Sequence, residues 1–102
     1  GITLLMGAAL YGHERVVELL LQHGADINLQ DSKSGTALMR AADRGYERVV
    51  ELLTRRGAEI NLQSSSGTAL MRAADYGHVR VVDLLLRHGA EINLQNSFGN
   101  TA

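Results

Sequence analysis

Four histidines and a scatter of aspartates, serines and arginines are the side chains in this sequence that could do chemistry. His13 and His78 each follow a glycine, and His23 and His88 each precede one. A metal site needs three or four convergent ligands, and no His-x₃-His pair or carboxylate at ligand spacing accompanies these residues. A cationic histidine near a helix C-terminus is mildly favourable, which gives them a structural reading. Asp43 and Asp75 each lie three residues after an arginine, Arg40 and Arg72. A local i, i+3 ion pair explains them more simply than a catalytic carboxylate does, since a perturbed acid needs a partner and a pocket. Ser64 to Ser66 read as a turn and not as a nucleophile elbow. The glycines recur at long intervals and do not build a phosphate loop. The expectation is therefore a non-enzymatic chain with no catalytic residue, no metal and no cofactor.

Composition narrows the partners. Net charge is −1 over 102 residues, with no cysteine and no proline. Lys33, Arg40, Arg44 and Arg72 could share one side, with Tyr11 and Tyr76 able to stack on bases. Asp43 and Asp75 interrupt that patch, so no nucleic-acid partner is expected. No apolar run approaches the roughly 20 residues of a membrane span, and no membrane association is expected. These features leave the compartment open, with a cytoplasmic setting favoured.

Internal repetition organises all of these residues. Gly35–Gln63 aligns with Gly67–Gln95 over 29 positions and differs at six, namely 44, 46, 47, 51, 54 and 56. An earlier copy begins at Thr3. The threonines at 3, 36, 68 and 101 set steps of 33, 32 and 33 residues. The short step falls in Gln63–Gly67, as a deletion in a solvent-exposed turn would. The repeats run approximately over 3–35, 36–67 and 68–100 of a single domain, 1–102, with a truncated fourth from 101.

Each copy has one grammar. Thr36 suits an N-cap, and Ala37 to Arg44 makes a short helix that Gly45 ends in the left-handed conformation. Glu47 to about Arg56 makes a second helix, ended by Gly57. The polar stretch to Gly67 reads as a turn or hairpin, in which Asn28, Asn61 and Asn93 recur. Asparagine tolerates positive φ and bonds its own backbone there. Leu38, Ala41 and Ala42 share a face of the first helix, and the alanines allow close helix approach. Val49, Leu52 and Leu53 form the apolar stripe of the second, with Val50 beside it. Glu47, Arg48, Glu51 and Arg55 take the wet side, with i, i+4 pairs at Glu51–Arg55 and Asp83–Arg87. Stacked helix pairs can bury both flanks where one pair cannot.

A unit of about 33 residues with Gly-Thr-Ala-Leu-Met-Arg-Ala-Ala, Arg-Val-Val-x-Leu-Leu and Gly-Ala-Glu-Ile-Asn resembles the ankyrin repeat, and the match covers essentially the whole chain. The resemblance implies an all-α solenoid of stacked helix-turn-helix repeats with short hairpin loops. It also implies a protein-protein interaction scaffold that binds through a concave face of hairpin tips and first helices. Two departures stand out. The family's Thr-Pro-Leu-His start is here Thr-Ala-Leu-Met or Thr-Leu-Leu-Met. Met6, Met39 and Met71 are accordingly expected to form a buried column where the family has histidine. Carried over by position, the partner-facing residues are Leu10, Tyr11, Lys33, Arg40, Asp43, Arg44, Ser65, Ser66, Arg72, Asp75, Tyr76 and Phe98. Neither end shows a polar capping repeat, which points to part of a longer array or a consensus-like engineered piece. Uncapped repeats could also associate end to end. The competing reading is a structural spacer or designed scaffold with no dedicated partner, which the near-identical repeats favour.

Overall fold

A computed structural model describes residues 3–92. Six helices follow in order: α1 (Leu4–Leu10), α2 (Glu14–Gln22), α3 (Ala37–Arg44), α4 (Glu47–Arg55), α5 (Ala69–Asp75) and α6 (Val79–Arg87). No strand occurs among the described residues, and a single isolated bridge joins Ser64 to Gly67. The first helices stack as one layer, α1 on α3 on α5. The second helices stack as another, α2 on α4 on α6, and each first helix packs on its own second helix.

Local chemistry sets the helix ends. Thr3, Thr36 and Thr68 accept at Oγ1 from the amides of Met6, Met39 and Met71, at 3.1, 3.4 and 3.3 Å. Thr36 and Thr68 are buried, so these caps satisfy donors that water cannot reach. Gly45 ends α3 at φ 72°, a left-handed conformation with no steric cost for glycine.

The core follows the small-residue face of the first helices. Ala9, Ala41, Ala42 and Ala73 are fully buried, and Met6, Met39 and Met71 are buried at equivalent positions of the three stacked first helices. In α4 the buried set is Val49, Val50 and Leu53, whereas Leu52 is only half-buried. This departs from the expected stripe for a simple reason. A middle helix is covered on both flanks by α2 and α6, so Val50, beside the stripe, is enclosed and Leu52 is left at the edge. The i, i+4 pairs form at the surface, Glu51–Arg55 at 3.6 Å and Asp83–Arg87 at 2.9 Å.

The asparagines correct a second expectation. Neither Asn28 nor Asn61 takes positive φ; among the described non-glycine residues only Ser34 does. Each reaches across to the next repeat instead. Asn28 Oδ1 accepts from the Glu59 amide at 2.8 Å, and Asn61 Oδ1 from the Glu91 amide at 2.9 Å. Asn61 also donates to the Gly89 carbonyl at 3.3 Å. Their period reflects stitching between repeats and not local turn chemistry. Asn93 lies outside the described residues.

Candidate functional site

The candidate residues gather on the side built from the ends of the first helices and the hairpin tips. Leu10, Arg40, Asp43, Arg44 and Tyr76, drawn from all three repeats, line a cleft of about 510 Å³. Lys33, Arg40, Ser65, Ser66 and Arg72 line an adjoining one of about 190 Å³, with Gly35 and Ser64. Arg40 lines both. Tyr11 and Asp75 are exposed but line neither cleft. Phe98 lies outside the described residues.

Arg40, Asp43 and Arg72 in these clefts belong to an ion-pair chain that crosses repeats. Asp31 opens the first hairpin tip and accepts at Oδ1 from the amides of Lys33 and Gly35, at 2.9 and 2.8 Å. Its other oxygen takes the Arg40 guanidinium. Arg40 also stands 3.8 Å from Asp43. Asp43 in turn takes the Arg72 guanidinium in a two-point pair, Nε to Oδ1 and Nη2 to Oδ2, the latter 2.9 Å. The alternation Asp31–Arg40–Asp43–Arg72 thus runs from the hairpin after the first repeat into the third. Its side chains are mostly buried, between 7% and 20% exposed. Two-point Arg–carboxylate pairs are geometrically specific and hold elements in register.

The titration of these groups follows from that setting. Burial opposes the charge of Asp31, but the Gly35 and Lys33 amides and the Arg40 guanidinium overcome it and hold its carboxyl below the ordinary aspartate value. The Asp43 hydrogen bond raises Arg72 above its ordinary value despite burial.

The local i, i+3 pair expected for the aspartates forms at Arg40–Asp43 but not at Arg72–Asp75. Arg40–Asp43 is the long contact of the chain, and the close partner of Arg72 is Asp43 of the preceding repeat. Asp75, the expected i, i+3 partner, is exposed. The residue missed from sequence is Asp31. Its signal was present, because an aspartate two and four residues ahead of Lys33 and Gly35 is placed to bridge a turn.

His78 is also tied between repeats. It donates from Nε2 to the Asp43 carbonyl at 2.8 Å. Its ring covers Gly45, where a Cβ would stand only 2.6 Å from Nδ1. Tyr46 takes the corresponding place over Gly12. His13 and His78 are thus N-terminal caps of second helices without side-chain capping bonds, and only His23 and His88 sit at helix C-termini. Among the described residues no three of His, Cys, Asp and Glu come together to hold a metal ion. None of the described helices is long and apolar enough to cross a membrane.

Three in-phase helix pairs, stapled by side chains that reach the neighbouring repeat, define a helical repeat solenoid. A family model described as ankyrin repeats, in three copies, matches residues 5–96, and the chain belongs to the ankyrin-repeat family. Ankyrin repeats are generally protein-interaction modules and generally non-catalytic. No curated protein matches the chain.

Proposed function

We propose that the chain is a binding scaffold that holds a protein partner on the side formed by the first-helix ends and hairpin tips. The observation that carries this reading is the cleft of about 510 Å³ in which Leu10, Arg44 and Tyr76 converge from three repeats. Arg44 and Tyr76 are exposed, and arginine and tyrosine are the side chains that most often anchor interfaces. Arg40, Asp43 and Arg72 satisfy one another, so their role is to hold the frame. Contact falls to Leu10, Arg44 and Tyr76, with Lys33, Ser65 and Ser66 at the tips and Tyr11 and Asp75 at the edges.

The test is affinity capture with three forms of the chain, identified by mass spectrometry. A partner should be retained by the unaltered chain and by Arg48→Ala on the second-helix side, and lost with Arg44→Ala/Tyr76→Ala. The ion-pair chain also favours a second reading, a spacer with no dedicated partner, because it neutralises much of the charge on this side. No protein specifically retained by any of the three forms would support the spacer, and one retained equally by all three would overturn this binding side.

A further inference from the structure

We infer that the cleft of about 190 Å³ at the two described hairpin tips is an anion site, which takes one carboxylate or phosphoryl group at the end of a side chain. On the binding reading above, on which this rests, that group belongs to the protein partner.

The lining carries one sign of charge. Lys33, Arg40 and Arg72 meet there with Gly35, Ser64, Ser65 and Ser66, and no acidic residue lines the cleft. Asp31 and Asp43 offset the two arginines without lining it, and the positive charge left over is that of Lys33. Lys33 is exposed and makes no ion pair among the described residues.

The two hairpins differ at one position that decides this charge. Asp31 and Ser64 open them equivalently, with the Asp31 amide donating to the Gly35 carbonyl at 2.9 Å and the Ser64 amide to the Gly67 carbonyl at 3.0 Å. The Asp31 carboxylate takes the guanidinium of Arg40, five residues after Gly35. Arg72 likewise stands five residues after Gly67, but its hairpin has a serine in the place of the acid. The Ser64 hydroxyl is spent within the turn, donating to the Gly67 carbonyl at 2.9 Å and accepting from the Ser66 amide at 3.1 Å. Arg72 turns instead to Asp43 with Nε and Nη2. A guanidinium has five N–H donors, so this pair leaves both hydrogens of Nη1. An anion in the cleft gives the second hairpin the carboxylate that the first holds in its own chain.

The site is built in advance of its ligand. The Ser65 amide donates to the Lys33 carbonyl at 2.9 Å and joins the two tips. Asp31 fixes the amides of Lys33 and Gly35 on the same side. A frame already ordered loses little freedom on binding. At about 190 Å³ the cleft is smaller than the roughly 300–1,000 Å³ that encloses a small molecule, which suits one charged group and not a nucleotide. Lysine and arginine bonds to such a group are charge-assisted and therefore strong.

NMR titration of the 102-residue chain at low ionic strength tests this with two probes, N-acetyl-O-phosphoserine N-methylamide and N-acetylglutamate N-methylamide. Binding should shift the amides of Lys33 and Ser66 and the Arg72 Nε–H, and the shifts should saturate. Lys33→Gln should weaken binding about tenfold, as for a lost hydrogen bond to a charged group. Arg56→Gln removes the same charge from another exposed position and should leave binding unchanged. Ser64→Asp gives the second hairpin the acid of the first and should abolish binding. Tighter binding of the phosphoserine probe would point to a phosphorylated partner, and equal or tighter binding of the glutamate probe to a carboxylate. Shifts that rise without saturating would overturn the inference, as would equal weakening by Lys33→Gln and Arg56→Gln. These titrations need no partner, so their failure leaves the binding reading to its own test, the Arg44→Ala/Tyr76→Ala capture.

Discussion

The two junctions of this molecule share a backbone frame and differ in their chemistry. Between the first and second repeats, Leu10 stands where the next repeat has Asp43, and Tyr46 stands where the next has His78. Arg40 accordingly turns to Asp31 in the hairpin, and the Tyr46 ring packs over Gly12. Between the second and third repeats, Asp43 takes Arg72 at two points and its carbonyl takes His78. An Arg80–Glu47 pair at 3.7 Å adds to the outer side of that junction, though both groups are exposed and the contact is weak. The asparagine staples and the stacked alanines are common to both. A solenoid can therefore keep its spacing while exchanging an apolar contact for an ionic one at a few rim positions. Those rim positions are also where the clefts open.

The largest effect should come from what the junctions share. Leu53 is fully buried between them, and Leu53→Ala should cost about 2–5 kcal/mol in urea unfolding. Leu20→Ala, the equivalent change on the half-buried face of the first repeat, should cost clearly less. Equal losses would mean that the two faces are equally covered.

Next is the ionic contact that separates the junctions. Arg72→Met leaves Asp43 mostly buried with only the 3.8 Å contact to Arg40 and should cost about 2–3 kcal/mol, somewhat less than a buried charge stripped of every partner. A loss below about 1 kcal/mol would reduce the ionic junction to the rank of an ordinary surface pair.

Acid should act through the hairpin. A carboxyl held below its unfolded value adds stability above that value and loses it as pH falls through the folded one. Asp31 should thus contribute fully at neutral pH, and melting temperature should drop on acidification below about pH 4. Asp31→Asn should be less stable at neutral pH and should lose less on acidification. A parallel pH profile for the variant would rule out this role for Asp31.

The smallest effect sharpens the comparison by exchange. Tyr46→His gives the first junction the residue of the second, facing a glycine and a backbone carbonyl, that of Leu10. The cost should stay below about 1.5 kcal/mol by thermal unfolding, as for a change that keeps the ring in place. A larger loss would show that the two junctions are not interchangeable frames.

The sequence alone determined the repeat and its phase, the threonine caps, the buried alanines and methionines, and the limits of α3. All of these rest on short-range physics. A cap reaches three residues ahead, helical period decides which residues share a face, and repetition averages out accidents in any one copy. It also placed Leu10, Arg44 and Tyr76 together at the C-terminal ends of the stacked first helices. Only the tertiary structure decided which partners the long or bifunctional side chains choose. Arg72 had Asp75 three residues away yet pairs with Asp43, 29 residues back. Arg40 had Asp43 at the same spacing yet closes on Asp31, and Asn28 bonds an amide 31 residues on. Val50 is buried because helices lie on both sides of it. In each case, stacking brings residues one repeat apart into contact. An arginine or asparagine with several acceptors in reach then takes the one whose burial and geometry suit it best, which sequence separation does not encode.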